Sequence, residues 1–110
     1  MSLSFKIGAI PIGEAHPPFI IAEMSGNHNQ SIEKALQIVD AAAEAGAHAI
    51  KLQTYTADTI TLDVKGGEFE INDPNSPWAG RNLHDLYNEA STPWDWHAPI
   101  MERAKEKGLI

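Results

Sequence analysis

Glu23 lies near the end of one apolar run, Phe19-Ile20-Ile21-Ala22-Glu23-Met24, and Lys51 and Gln53 lie at the end of another, Ala49-Ile50-Lys51-Leu52-Gln53. A carboxylate, an ammonium and an amide converging on one pocket suit an anionic substrate whose reaction needs a proton moved or a developing charge offset. Lys51 and Gln53 are two residues apart, so a strand puts them on one face and turns Ile50 and Leu52 to the other. Ions embedded in apolar runs need a partner or a task. Two readings follow: a reactive pocket, or a Glu23–Lys51 ion pair that only fixes strand register. Asn27 and His28 come just after Glu23 in the polar stretch Ser25-Gly26-Asn27-His28-Asn29-Gln30. There they could position substrate at the pocket mouth or simply serve the turn. As a metal ligand, His28 lacks a histidine or carboxylate at helical or strand spacing.

The other candidates carry less. His16, beside Pro17, reads as a loop residue, and His48, just before the second run, as a surface or packing residue. His97 reads either as a packed helix residue or as part of the pocket rim. Trp78, near Arg81 in a proline-rich stretch, suits substrate or subunit contact, whereas Trp94 and Trp96 near a helix start suit the core. Gly66-Gly67 has no following Lys-Ser/Thr and forms no phosphate loop.

The elements that must hold these residues are legible in the spacing. An unbroken apolar run such as residues 19–24 suits a strand buried on both faces. Ser31 then reads as a helix cap with Glu33 near the positive end of the dipole. Ile32, Ala35, Leu36, Val39, Ala42 and Ala43 follow at helical spacing, and Gly46 supplies the stop. Residues 49–53 form the second strand, completing a βαβ unit in which parallel neighbours lie ~4.8 Å apart. Glu23 and Lys51 then meet at the carboxyl edge, where α/β proteins bind ligands. The following loop carries turn signals around a small hairpin of residues 59–62 and 69–71. Leu83 to Ala90 reads as a short helix. A further helix has Thr92 at its cap and Pro93 in first position, with Pro99 pushing its regular part later. Gly108 closes that helix, and Leu109-Ile110 opens a third strand.

Composition narrows the field. The chain has 110 residues, 15 acidic against 8 basic, and a formal charge of −7. That balance argues against binding nucleic acid through its phosphates. No cysteine is present, which removes disulfides, thiolate zinc sites and cysteine nucleophiles together. Neither a leader-like start nor a ~20-residue apolar span occurs, so the expectation is a cytoplasmic protein with no membrane partner.

Taken in order, these residues resemble the sialic acid synthase family. The resemblance rests on Phe19 to Glu23, on Gly26-Asn27-His28-Asn29, and on Ala47 to Gln53 with Lys51 and Gln53. Met24 to Gln30, Lys51-Leu52-Gln53-Thr54-Tyr55, Leu86-Tyr87 and Thr92-Pro93-Trp94-Asp95-Trp96-His97 are similar to its pseudaminate-making branch. The resemblance runs from about Pro18 to the last residue.

It implies an α/β chain forming the N-terminal βαβα portion of a TIM (β/α)8 barrel. Residues 1–18 would be a lead-in and residues 19–110 the first βα units, stopping at strand 3, without the family's C-terminal antifreeze-like domain. A barrel takes ~250 residues, so these residues alone are expected to lack turnover and to expose apolar sheet faces. The implied reaction condenses phosphoenolpyruvate with 2,4-diacetamido-2,4,6-trideoxy-altrose, giving a nine-carbon 2-keto acid and phosphate. By the resemblance, Glu23 is the acidic catalytic residue, Lys51 binds phosphoenolpyruvate, and Gln53 faces the acceptor sugar, with Asn27 and His28 as further substrate contacts. It also implies a homodimer and a divalent metal, manganese or magnesium, with ligands beyond these residues. The alternatives are an N-acetylneuraminate or legionaminate synthase, or, from another class, a non-catalytic binding or assembly module built on a barrel fragment.

Overall fold

A computed structural model describes residues 3–110. Its centre is a parallel pair of strands, β3 (Ile21–Met24) and β4 (Ala49–Leu52), joined through helix α1 (Ile32–Glu44). The register pairs Glu23 with Lys51 and Met24 with Leu52. Helix α1 starts where the sequence predicts, because the Ser31 hydroxyl accepts the Lys34 N–H at 3.2 Å. It stops at Gly46, whose φ of +93° is open to glycine at no steric cost.

Residues 54–82 depart from the expected hairpin. Residues 59–62 do not form a strand. Residues 57–60 instead make a single helical turn, α2 (Ala57–Ile60), because Thr56 and Thr59 cap each other reciprocally. Residues 69–71 are the better half of the expectation: the Ile71 N–H donates to the Arg81 carbonyl at 2.9 Å, and Glu70 bridges Asn82. Helix α3 (Leu83–Ala90) follows, as the spacing predicts.

The last helix starts later than Thr92–Pro93 predicts. Pro93 holds an extended ψ of 141°, a 3-10 turn covers Trp94–Trp96, and α4 runs His97–Glu106. Pro99 sits inside the first turn of α4, where its missing N–H costs nothing. Thr92 does not cap; it is buried, and its N–H donates to the Gln53 carbonyl at 3.0 Å. After Gly108, Ile110 lies beside β4, donating to the His48 carbonyl at 3.0 Å and accepting from the Ile50 N–H at 2.9 Å. This is the third-strand pairing that Leu109-Ile110 suggests.

Helices α1 and α4 pack together over one face of the sheet. Met24, Ala35, Val39, Ile100, Ala104 and Leu109 form the core between them. Arg103 on α4 reaches Asp40 on α1, with Nη1 2.8 Å from Oδ2 and 3.0 Å from Oδ1. The opposite face is open. Ile21 is 55% exposed, so β3 is buried on one face and not on both. That asymmetry leaves Glu23 and Lys51 accessible while Met24 is sealed.

Residues 1–18 contain an element that the lead-in reading omits. Strands β1 (Ser4–Ile7) and β2 (Ile10–Gly13) form an antiparallel hairpin, joined by Gly8 and Ala9. A two-residue link beginning with glycine is itself a hairpin signal. At Gly8 a Cβ would come 3.0 Å from Ile110 Cδ1, so the turn rests against the end of the sheet.

Candidate active site

The strand register sets the first constellation. Glu23 and Lys51 are direct neighbours across the parallel pair, and Gln53 follows on the same side. The Lys51 ammonium donates to Glu23 Oε2 at 3.4 Å, and the Gln53 amide donates to Glu23 Oε1 at 2.5 Å. One carboxylate thus takes both donors, one on each oxygen. The Lys51 and Glu23 side chains remain 64% and 44% exposed, so the pair stays open to an incoming ligand. Exposed pairs of this length contribute little to stability, ~0–1 kcal/mol. Register alone is therefore a weak reason for placing them here.

Beside the pair opens a cleft of about 420 Å³. Lys51, Gln53 and Thr54 give it a polar side, and Tyr55, Ile60 and Tyr87 an apolar wall. The two tyrosine rings meet edge to face, with centroids 5.6 Å apart. Burial, with Tyr87 adding to it, pushes the Tyr55 phenol above its ordinary value of 10.0, so it stays an O–H donor. Helix α2 supplies Ile60 and helix α3 supplies Tyr87, so the α2–α3 contact shapes the wall.

That contact is fastened by His84, whose Nε2 lies 2.8 Å from Asp58 Oδ1. The Asp58 hydrogen bond raises the His84 pKa above 6.5; burial opposes it, and the negative charges of Asp63, Asp58 and Asp85 add to the rise. A histidine raised in the folded state stabilises fully below about pH 6.5, its unfolded value, and that contribution is lost as pH rises through the folded value. A ring-proton NMR titration of His84 should give a midpoint above that of free histidine. Asp58→Asn should bring it back down. No group of three or more histidine or acidic side chains among the described residues could hold a metal ion. Asp58 and Asp63 approach opposite nitrogens of His84, so the trio has no common centre.

The loop after β3 separates Asn27 from His28. Asn27 is exposed at the carboxyl edge, whereas His28 is fully buried. His28 Nδ1 accepts the Gln30 N–H at 3.1 Å, which leaves Nε2–H to donate to the Ala90 carbonyl at 3.1 Å. Both ring nitrogens are spent on backbone, and the ring also stacks edge-on against Trp96. His28 therefore has no free ring nitrogen to offer a substrate in this arrangement and holds the loop. Asn29 and Gln30 both have positive φ, 49° and 57°, and the His28 bond to Gln30 supports that strained pair. His28→Ala should destabilise the protein by ~2–4 kcal/mol, read by urea unfolding, since it leaves a cavity and two unpaired backbone groups.

Of the remaining histidines, His48 accepts the Ile20 N–H at 2.9 Å and stacks on Phe19, a packing role. His97 does not line the cleft but touches a residue that does: its Nε2 lies 2.6 Å from Thr54 Oγ1 and its Nδ1 lies 2.8 Å from the Trp94 carbonyl. Trp78 is 44% exposed, and its neighbour Arg81 pairs with Glu89. Thr54, Tyr55 and Tyr87 carry no local chemical signal; only their meeting across residues 54–87 makes them a wall.

The chain is 47% identical over 92 residues to the pseudaminic acid synthase of Campylobacter jejuni, covering 84% of this chain and 26% of that protein. It is 41% identical over 111 aligned positions to the N,N'-diacetyllegionaminic acid synthase of Legionella pneumophila, covering 99% of this chain and 30% of that one. It superimposes on the crystal structure of the N-acetylneuraminic acid (sialic acid) synthetase of Leptospira borgpetersenii in complex with citrate, with a TM-score of 0.74 and 29% identity. That alignment covers 100% of this chain and 33% of the synthetase. The chain thus spans between a quarter and a third of the length of these three proteins, and its β-α-β-α elements are the opening of a TIM barrel. The NeuB family matches residues 38–110, more than half of the chain, and the chain belongs to that family.

Proposed function

We propose that these residues supply the lysine–carboxylate corner of a synthase that condenses phosphoenolpyruvate with 2,4-diacetamido-2,4,6-trideoxy-altrose. The observation that carries it is the Glu23–Lys51–Gln53 constellation at the carboxyl edges of two parallel strands, in a chain 47% identical to a pseudaminic acid synthase. Lys51, loosely held at 3.4 Å, can turn its ammonium to the phosphate or carboxylate of phosphoenolpyruvate. Glu23 then faces the cation that forms when the enol carbon attacks the sugar aldehyde. It offsets that charge and takes a proton from the water that adds there before the C–O bond to phosphate breaks. Gln53 keeps its amide oxygen for a donor on the acceptor sugar.

Asn27 belongs to this proposal as a contact at the pocket mouth. A manganese or magnesium ion belongs to it as well, with ligands outside these residues, so no step is assigned to it here. A homodimer and a cytoplasmic location complete the reading; no described helix is long and apolar enough to cross a membrane.

The test is phosphate release from phosphoenolpyruvate with manganese, by the chain extended to the length of its relatives, across a panel of acetamido sugars. Turnover with the altrose-type sugar is the expected result. A preference for the acceptor of the legionaminate branch, the reading favoured by the 41% relative, would replace it. Failure with every sugar would overturn both.

A further inference from the structure

The hydrogen bonding of His97 fixes the direction of the Thr54 hydroxyl in the cleft. A carbonyl oxygen only accepts, so the 2.8 Å contact to the Trp94 carbonyl puts the ring proton on Nδ1. Neutral imidazole then has a lone pair on Nε2, and the 2.6 Å contact there takes the Thr54 hydroxyl proton. Thr54 lines the cleft and has no other side-chain hydrogen bond among the described residues. Its oxygen therefore faces the cleft with lone pairs only. The exposed indole of Trp94 lies across the His97 ring at a 5.5 Å centroid distance and helps hold that ring in place.

Beside this directed acceptor stands the apolar wall of Tyr55, Ile60 and Tyr87. A ligand group that presents an N–H donor with a methyl group close by fits both surfaces at once. We propose that Thr54, oriented by His97, accepts the N–H of an acetamido group on the acceptor sugar, whose methyl lies against Ile60 and the two tyrosines. Thr54 is then a specificity-determining contact and His97 a positioning residue. The inference rests on the synthase reading above and assigns one part of its acceptor pocket.

Thr54→Val keeps the shape and removes the hydroxyl. In the extended chain it should raise KM for the diacetamido sugar by roughly fivefold to tenfold, the ordinary worth of one hydrogen bond, and leave kcat and KM for phosphoenolpyruvate unchanged. Thr54→Ser should restore the parent KM. His97→Phe frees the Thr54 hydroxyl to turn without removing its oxygen, so it should raise the sugar KM in the same direction but by less than Thr54→Val, with thermal melting run alongside to identify a variant that has unfolded. Analogues in which each acetamido nitrogen in turn is an ester oxygen keep the carbonyl and the methyl. One of them should bind the parent protein as weakly as the true sugar binds Thr54→Val, with no further loss in that variant. An active parent whose Thr54→Val variant keeps its sugar KM overturns this inference alone. A change in kcat or in the phosphoenolpyruvate KM instead would also overturn it. Silence of the parent toward every sugar overturns the synthase reading and takes this inference with it.

Discussion

Glu23→Gln, in the chain extended to the length of its relatives, should lower kcat by about 10²- to 10⁴-fold, the usual worth of a positioned acid or base. The substitution preserves size and leaves one oxygen to accept from Gln53. What it removes is negative charge at the place where the proposed reaction builds positive charge, and the group that would take the proton of the added water. The measurement is steady-state phosphate release, with KM for both substrates little changed. The same variant separates the two readings of the Glu23–Lys51 pair. If the pair only fixed register, losing it would cost ~0–1 kcal/mol of stability, as exposed ion pairs do, and kcat would survive. An intact kcat would therefore remove Glu23 from the chemistry.

Lys51→Met should act on a different parameter. Methionine keeps much of the apolar stem and loses the ammonium, so KM for phosphoenolpyruvate should rise by about 10- to 150-fold, the range for a hydrogen bond to a charged group. Lys51→Arg should rescue it only in part, because a planar fork cannot stand in for a compact ammonium beside Glu23. Substrate titration at fixed sugar concentration reads the effect. If KM for the sugar rose while that for phosphoenolpyruvate stayed put, Lys51 would face the other substrate and the assignment would be reversed.

What the sequence disclosed was mostly local or periodic. The period-two rule was enough to put Lys51 and Gln53 on one side, because a strand leaves its side chains only two directions, and the βαβ reading brought Glu23 beside them. Ser31 and Gly46 marked the ends of α1 because capping and left-handed φ are demands that few residue types meet. The strand-like reading of residues 59–62 failed on a competing local signal. Thr56 and Thr59 stand three apart, and their reciprocal cap makes a helical turn of a segment whose composition suited a strand equally well. The N-terminal hairpin was missed although its Gly8-Ala9 link carried a recognisable turn.

The cleft wall is another matter. Thr54 and His97 are 43 residues apart, and Tyr55 and Tyr87 come from different elements. No periodicity within one element brings such pairs together. His28 shows the same gap in reverse. Its neighbours in sequence suggested a pocket mouth, yet the partners that consume its ring are Gln30 and, 62 residues on, the carbonyl of Ala90.

Gly26 meets that same end of α3: a Cβ there would fall 2.7 Å from the Ala90 Cβ. The loop after β3 is thus pressed against Ala90 at one residue and hydrogen-bonded to it at another. Two stretches far apart in the sequence therefore have to fit each other. A chimaera that imports residues 25–30 from a relative and keeps the resident α3 would join surfaces that are not shaped to each other. Importing residues 83–92 as well would transfer both halves of the seam, and swapping between synthases would then exchange one working unit for another.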